Sequence, residues 1–385
     1  MPDESYFCHT MALTQAVSSL NFPVIRGIQS GREYYVTMWT FRLMRQISIF
    51  DEKELPPELR AQRIINKSRI PEIANYILNN PKDYVFSAIT ASIDSEVEFT
   101  PLSGEEKIGI LRVPMEAKFI INDGQHRRAA ILAALDQRPE LAYETIPVVF
   151  FLDVGLARSQ QMFSDLNRYA IRPSRSISLL YDHRSEKSNL ARRVVAKSSL
   201  FRDIVDYEKS SLAPRSRKLF TLSAFYNACS ELIQGISTGN VDSDAKVARD
   251  YWEAVALQFP VWKQVLEGTV SAGEVREGFV HAHGIALQAM GRMGNALLRT
   301  HPDNWSAHLP KLKVIDWSKK NTSAWEGRTL LGGRLSKTHV NVLRTSAFLK
   351  RQLDLPLTAE EQDLESNEFS KSNGKKSKRK KRINK

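Results

Sequence analysis

The stretch that most constrains the fold of this 385-residue chain covers residues 118–135, where the spacing of apolar residues changes abruptly. Residues 119–121 are apolar without a break, which is typical of the end of a short buried strand. Asn122-Asp123-Gly124 then interrupts the run with residues that favour turns. Beyond Gln125 the apolar residues return at helical spacing, at Ala129, Ile131, Leu132 and Leu135. The sequence therefore predicts a strand that leads through a tight glycine turn into a helix.

The first turn of this predicted helix carries four polar side chains, those of Gln125, His126, Arg127 and Arg128. The first backbone N–H groups of a helix have no intrahelical partner and lie at the positive end of its dipole, so they favour an anion. Gly124 would let the backbone approach such an anion closely, and an arginine could hold two phosphate oxygens at once. We therefore expect these five residues to form a phosphate-binding site.

Asp123 and His126 are the candidate catalytic residues of the turn. An imidazole can donate a hydrogen bond or carry a proton near neutral pH. The carboxylate of Asp123 could hold His126 or a metal ion, although an Asx-type turn is an equally good interpretation. In the alternative, Asn122 and Asp123 only build the turn and the arginines are solvated. No metal site is predicted elsewhere, because His281 and His283 have no carboxylate or cysteine close to them in sequence.

A second group of candidates follows residues 146–152, whose apolar run predicts a strand buried on both faces. With the preceding helix this strand would complete a βαβ-like unit, and anion sites in such folds gather where a strand leads into a helix. The candidates are Asn167 and Arg168, at the end of the next predicted helix, and Arg172 and Arg175 just beyond it. We expect them near the phosphate, although a favourable cation at a helix end is the alternative.

A third basic group, Arg215, Arg217 and Lys218, stands at the start of a predicted helix at residues 217–233. Positive charge at a helix N-terminus opposes the helix dipole, so its presence needs another reason. Contact with the DNA backbone is the interpretation we favour, and a solvated helix end is the alternative. The tryptophans of this half of the chain are expected in the core, at Trp252, Trp262, Trp305, Trp317 and Trp325.

The distribution of charge favours a polyanionic partner. The net charge is +12, nine basic residues and no acidic one lie beyond residue 370, and the body up to residue 354 still carries +8. This balance favours nucleic acid over a membrane, because no amphipathic apolar face accompanies the basic tail. No apolar run could cross a bilayer, no signal peptide is evident, and Cys8 and Cys229 are too few for a disulfide framework. We therefore expect a cytoplasmic protein.

The order of the predicted elements indicates an α+β protein with two folded domains. Residues 1–20 are predicted to be a flexible leader, residues 21–178 an α/β domain, residues 179–355 a mostly helical domain and residues 356–385 a disordered tail that is acidic and then basic. A last helix, capped by Ser336, is expected to close the helical domain.

Two local patterns in the α/β domain predict strands of its sheet, and a third predicts a loop. Val24–Gln29 and Arg32–Met38 are β-prone and joined by Ser30-Gly31, which suits a two-residue hairpin. Residues 84–93 predict a buried strand. Residues 96–106 are polar and contain proline and glycine, so they predict a loop.

Asp123-Gly-Gln-His-Arg127 resembles the signature of the DGQHR domain family, and the surrounding sequence resembles its DndB branch of DNA sulfur modification proteins. The other stretches that carry the resemblance are Val24–Tyr35, Pro57–Arg63, Asn80–Ala88, Met162–Arg168 and Arg215–Ser223. The resemblance runs from about Pro23 to about Gln362. Several matching stretches in the same order are more specific than five residues alone.

The resemblance implies a role in bacterial DNA phosphorothioation, in which sulfur replaces a non-bridging phosphate oxygen. It implies a DNA-binding regulator that restrains the modification genes, rather than an enzyme of the sulfur chemistry. More distantly, the domain resembles the ParB and sulfiredoxin superfamily, in which a strand, a turn and a helix hold nucleotide phosphates. A ParB-like fold is therefore expected for residues 21–178.

The residues that match the turn of that superfamily are Gly124, His126, Arg127 and Arg128. Asn167 and Arg168 loosely match an asparagine and an arginine of a second nucleotide-contacting helix in ParB proteins. Gln125 stands where sulfiredoxin has its catalytic cysteine. The resemblance therefore argues against redox chemistry of the sulfiredoxin type.

Two functions remain open from the sequence. In the first, a regulator binds double-stranded promoter DNA of the modification operon, alone or with other sulfur modification proteins, and the chain could also self-associate. In the second, an enzyme hydrolyses ATP or CTP with Mg²⁺, or nicks DNA, with Asp123 and His126 in acid–base or metal-positioning roles. A docking role on the modification enzymes is a third alternative.

Overall fold

The computed structural model describes residues 19–47, 65–152, 161–162, 164–166 and 173–364. Contacts within the chain divide it into two compact units, Met1–Ile171 and Arg172–Lys385. The first unit contains a mixed seven-stranded sheet and the second is built mainly from helices, so the predicted α+β class is confirmed. Within the described ranges no helix is both long and apolar enough to span a bilayer.

The sheet of the first unit has the strand order β4-β5-β1-β2-β7-β3-β6. Its strands are β1 (Ser19–Gln29), β2 (Arg32–Thr40), β3 (Ile89–Asp94), β4 (Glu98–Leu102), β5 (Glu105–Pro114), β6 (Lys118–Asp123) and β7 (Thr145–Leu152). The helices beside it include α1 (Phe41–Gln46), α2 (Ile70–Asn79) and α3 (Gln125–Gln137). β3 and β7 are parallel, whereas the other neighbouring strands are antiparallel.

The hairpin predicted at the start of the sheet is confirmed. β1 and β2 pair in antiparallel fashion, with Gln29 opposite Arg32. Ser30 and Gly31 have φ angles of 52° and 72°, and two positive φ angles are what a type I′ turn requires. The two turn residues therefore fix the register of the pair.

Aromatic rings fill the core beneath one face of the sheet. Phe22, Trp39, Phe119 and Phe150 come from four different strands, and their ring centroids lie 5.5–6.3 Å apart. Tilted and edge contacts at this distance are favourable for aromatic pairs. This packing holds β6, and with it the turn that follows Asp123, in a fixed place on the sheet.

Two predictions about the middle of this unit are wrong. Of the strand predicted at residues 84–93, only the end is a strand, and Val85 is 76% exposed. The loop predicted at residues 96–106 instead contains β4 and the start of β5. Pro101 is compatible with a strand here because β4 lies at the edge of the sheet, where a missing N–H costs no ladder hydrogen bond.

The strand–helix–strand segment around the glycine turn is not a βαβ unit. Thr90 of β3 lies opposite both Asp123 of β6 and Val149 of β7. Because β3 is antiparallel to β6 and parallel to β7, these last two strands run in opposite directions with β3 between them. The prediction that β7 is buried on both faces is also wrong, since its buried residues alternate with more exposed ones.

Helices dominate the second unit. They are α4 (Arg175–Tyr181), α5 (Glu186–Lys197), α6 (Phe201–Ile204), α7 (Leu222–Leu232), α8 (Val241–Ala256), α9 (Pro260–Glu267), α10 (Ala272–Gly278), α11 (Gly284–Thr300), α12 (Thr322–Trp325) and α13 (His339–Gln352). The short strands are β8 (Val205–Asp206), β9 (Phe220–Thr221), β10 (Leu330–Leu331) and β11 (Arg334–Leu335). The tryptophans pack in its core as predicted: Trp252, Trp262, Trp317 and Trp325 are buried and Trp305 is partly buried.

The end of the second unit differs from the prediction in two respects. Helix α13 is capped by Thr338, whose hydroxyl accepts a hydrogen bond from the Asn341 N–H, and not by Ser336. The tail predicted to be disordered from residue 356 is folded in its first residues. Glu361 is fully buried there, and its carboxylate accepts hydrogen bonds of 2.7 and 3.0 Å from Lys350. The acidic sequence predicted disorder here, but the buried carboxylate of Glu361 is paired with Lys350.

The pH dependence of the free energy of unfolding tests the buried position of His281 in this core. It is buried, and its Nδ1 accepts a hydrogen bond of 3.0 Å from the Trp262 indole. Burial, and then the charge of His283, lower the pKa of His281 to about 3. In the unfolded chain a histidine binds a proton below about pH 6.5, so the free energy of unfolding should fall as the pH drops from there toward 3.

His281→Asn keeps an acceptor near the place of Nδ1 but does not titrate. We expect it to flatten the dependence of the free energy of unfolding on pH by up to about 1.4 kcal/mol per pH unit below about pH 6.5. Urea unfolding over this pH range measures the slope, with the exposed His183→Asn as control. A slope equal to that of the wild type would contradict the buried neutral imidazole.

Candidate phosphate-binding turn

The predicted strand, glycine turn and helix are all present. β6 ends at Asp123, Gly124 has a φ of 105°, and α3 begins at Gln125. A Cβ atom on Gly124 would lie 2.9 Å from Cγ1 of Ile89 and 3.1 Å from a guanidinium nitrogen of Arg127. Both the backbone angle and the crowding therefore require glycine at this position.

Arg127 is bound within the protein. Its guanidinium forms an ion pair of 2.5 Å with Asp123, the last residue of β6 and four positions earlier in the chain. It also donates hydrogen bonds to the Ser87 hydroxyl at 2.5 Å and to the Ala88 carbonyl at 3.2 Å. These acceptors directly precede β3, so Arg127 ties the start of α3 to the neighbouring strand. The geometry makes Arg127 a residue that shapes the turn.

His126 is held by its ring. The Asn66 N–H donates a hydrogen bond of 3.1 Å to Nε2 of His126, so that nitrogen carries no proton in this arrangement. Asn66 caps the short 3₁₀ helix Lys67–Arg69, which leads into α2. His126 thus links the first turn of α3 to the start of α2. A role in proton transfer through Nε2 would require the bond to Asn66 to break.

The remaining polar groups of the turn surround the start of α3. The first intrahelical bond joins the Arg128 N–H to the Gly124 carbonyl at 2.9 Å, and the N-cap residue itself, Gly124, has no side chain that could cap the amide groups before it. Gln125 donates to the Ile121 carbonyl at 3.1 Å, and Arg128 is partly exposed on the same turn. The helix start therefore combines backbone donors with a cationic side chain.

Asn122, which the sequence predicts only as a turn former, also connects neighbouring segments of the first unit. It is fully buried, and its amide donates to the Ser92 hydroxyl at 2.7 Å and to the Met162 sulfur at 3.0 Å. It therefore joins β6, β3 and the segment that follows β7. A single asparagine at the end of an apolar strand was the signal in the sequence.

The structure describes only one of the four residues in the second group of predicted site residues. Asn167, Arg168 and Arg172 lie outside the described residues, although residues 161–162 and 164–166 before them are helical as predicted. Arg175 is described and begins α4 in the second unit. It donates to the Asn227 amide oxygen at 3.0 Å and lies over the Tyr226 ring, 5.6 Å from its centroid.

The third group occupies a loop, which we call the basic loop (residues 213–218). Helix α7 begins only at Leu222 and is capped by Thr221, so Arg215, Arg217 and Lys218 are not in its first turn. The conflict with the helix dipole that drew attention to them is therefore absent. Arg215 and Arg217 are exposed, while Lys218 Nζ donates to the Asp203 carbonyl at 2.6 Å.

Titratable groups that could hold a metal do not converge in the described part of the chain, where no three His, Cys, Asp or Glu side chains form a cluster. His281 and His283 make structural hydrogen bonds instead, to Trp262 and to the Arg276 carbonyl.

Comparison with known protein families gives one match that covers most of the chain. A family model described as DndB, DNA-sulfur modification-associated, matches residues 22–356. The chain belongs to the DndB family. Membership of the DndB family implies involvement in DNA sulfur modification, and the match includes both the glycine turn and the basic loop. Searches of curated proteins and of solved structures found no match.

Proposed function

We propose that this chain is a DNA-binding regulator that restrains the DNA sulfur modification operon, and that the turn from Asp123 to Arg128 holds a phosphate of the DNA. The observation that carries the proposal is the start of α3, where a glycine turn with a positive φ leads directly into the helix and places its first backbone amides beside Arg128. Such a helix start is a favourable environment for phosphate. Because the DndB family is associated with DNA sulfur modification, we expect this phosphate to belong to DNA.

The polar side chains of the turn divide into two roles in this proposal. Arg127 is already paired with Asp123 and Ser87, so it fixes the shape of the turn. Arg128 and the first amides of α3 would contact the phosphate. Other cations would add to the attraction for DNA, since residues 1–354 carry a net charge of +8. Affinity should therefore fall steeply as salt rises, because phosphate contacts release counterions.

Arg128→Ala tests the contact residue. We expect it to weaken binding of the operon's promoter duplex about tenfold to a hundredfold, the effect of losing one charge-assisted hydrogen bond. A gel mobility shift at low salt measures this change. Arg138→Ala is the matched control, because Arg138 has similar exposure and lies at the other end of α3.

Equal affinities of Arg128→Ala and Arg138→Ala would contradict the role of the turn, and no shift with the wild-type chain would contradict DNA binding itself. The same shift, run with ATP or CTP and Mg²⁺, separates the two sources of phosphate. Competition between nucleotide and DNA, together with nucleotide hydrolysis that His126→Ala abolishes, would favour the enzyme over the regulator. DNA binding that ignores nucleotide supports the proposal.

A further inference from the structure

A buried arginine organises the basic loop of the second unit. Arg276, in α10, is only 9% exposed. Its guanidinium donates to the backbone carbonyls of Ala213, Pro214, Ser216 and Lys218, with distances of 2.8, 2.9 and 3.2 Å to the first three. It forms no ion pair with a carboxylate of the described residues. Arg276 therefore adds a positive charge beneath the loop and joins four of its carbonyls, of which that of Ala213 also accepts from the Ser216 N–H.

The same loop is held from two other sides. A Cβ on Gly273 would lie 2.5 Å from the Pro214 carbonyl oxygen, so the loop backbone packs directly on the start of α10. Lys218 bonds to the Asp203 carbonyl. With the carbonyls turned inward, Arg215 and Arg217 are exposed and pair with no acidic side chain of the described residues. The loop thus presents two cations from a fixed backbone.

Further cations continue from this loop along the second unit. Lys319 Nζ donates to the Arg276 carbonyl at 2.6 Å, and the same carbonyl bonds to His283, which precedes α11. At the first residue of α11, a Cβ on Gly284 would lie 3.5 Å from Lys337 Nζ. The same Cβ would lie 3.1 Å from Ala224 of α7, the helix whose Asn227 accepts a hydrogen bond from Arg175, so Lys337 and Arg175 approach the same helix.

Hydrogen bonds connect Arg175 back to the loop. The Arg175 N–H donates to the Ser210 hydroxyl at 2.9 Å, just before the basic loop. The carboxylates near this path include those of Asp203, which pairs with Arg202, and Glu277, which lies near Lys319. Asp206 and Glu208 lie in the segment whose backbone accepts a hydrogen bond from the Ser174 hydroxyl, next to Arg175. Among the described residues, no carboxylate forms an ion pair with Arg175, Arg215, Arg217 or Lys337.

We propose that Arg175, Arg215, Arg217 and Lys337 form one phosphate-binding surface on the second unit, with Arg276 as the residue that positions its loop. Cations spread over a loop and two helix starts suit the repeated phosphates of a DNA duplex better than a single small anion. Because the loop is already fixed, less conformational entropy is lost on binding. The inference rests on the proposed function and adds a second surface for the same partner.

A triple substitution of exposed cations tests this surface in the full chain. Arg215→Gln, Arg217→Gln and Lys337→Gln together are expected to reduce the slope of log K against log salt by about 2.7, or about 0.9 for each lost phosphate contact. The control is Lys187→Gln, Lys246→Gln and Lys263→Gln, three exposed helical lysines with the same change of charge. Fluorescence anisotropy of the promoter duplex at several salt concentrations measures both.

A reduced slope in the first triple and a wild-type slope in the control supports the surface. Equal slopes in the two triples would overturn it. If the first triple binds like the wild type while Arg128→Ala does not, this inference fails and the proposed function stands. If the wild-type chain does not bind DNA, the proposed function fails as well.

Arg276→Lys tests the positioning role separately. Lysine keeps the charge but cannot reach four carbonyls. We expect severalfold weaker DNA binding with an unchanged salt slope, since the phosphate contacts remain, and faster tryptic cleavage within residues 213–218. Wild-type affinity and cleavage in the folded variant would overturn the role of Arg276. The exposed triple decides the surface itself even if Arg276→Lys fails to fold.

Discussion

Lys350→Met is expected to lower the free energy of unfolding at the end of the second unit by about 3–5 kcal/mol, because it leaves a buried carboxylate without its partner. Lys350 is 3% exposed and Glu361 is fully buried. Arg292 is the next cation, but its Nε lies 3.9 Å from the Glu361 carboxylate, beyond hydrogen-bonding distance. Hydrogen exchange of peptides that cover residues 345–364 measures the loss.

The pH dependence of this ion pair has a defined sign. Burial would raise the pKa of Glu361, but hydrogen bonds from Lys350 and Thr358 outweigh it, so the pKa lies below its ordinary value. The stabilisation is therefore complete above the ordinary carboxyl pKa of about 4.3 and is lost as the pH falls through the lowered value. In Lys350→Met this loss should already be present at neutral pH.

Two further variants identify the cause. Lys311→Met removes an exposed lysine from its pair with Asp354 and should change the stability little. Lys350→Met combined with Glu361→Leu removes both buried charges and should recover much of the lost stability. Wild-type exchange in Lys350→Met alone would show that the segment after residue 356 does not depend on this pair.

Gly124→Ala is expected to have the second largest effect, on both stability and DNA binding. A φ of 105° costs an L residue about 1–3 kcal/mol, and the new methyl group would also press on Ile89 and on the guanidinium of Arg127. Movement of Arg127 would disturb its bonds to Asp123 and Ser87, which define the start of α3. Urea unfolding and promoter-duplex affinity are the measurements.

Gly104→Ala separates strain from crowding. Gly104 also has a positive φ, 82°, but a Cβ there would meet no atom within 4 Å. It should show the cost of the backbone angle alone and bind DNA like the wild type. If Gly124→Ala and Gly104→Ala lose the same stability and bind DNA with the same affinity, then contact between a Cβ at position 124 and Arg127 does not affect the site.

The turn could be predicted because its determinants are local. A change from continuous to helical apolar spacing, with glycine between, lies within residues 118–135 and needs no knowledge of distant strands. The contacts of Arg127 could not be predicted in the same way. Ser87 is 40 positions away, and β3 brings it to the turn through pairing with β6.

The strand order was harder to predict because it depends on pairing between segments that are distant in sequence. That β6 and β7 are antiparallel follows from β3, which is inserted between them and comes earlier in the chain. Arg276 shows a related limit, because its acidic neighbours in sequence, Glu274 and Glu277, do not reveal that its partners are backbone carbonyls of a distant loop. Local patterns thus located the turn and the basic loop, and tertiary contacts decided which of their residues are already bound.

Hydrogen exchange of the full chain with and without promoter duplex tests most directly whether the turn holds a DNA phosphate. The first amides of α3 should exchange more slowly when DNA is bound, in peptides that cover residues 122–130, and Arg128→Ala should remove this protection. Binding of the duplex, confirmed in the same sample by anisotropy, with unchanged exchange in those peptides would contradict the central role of the turn.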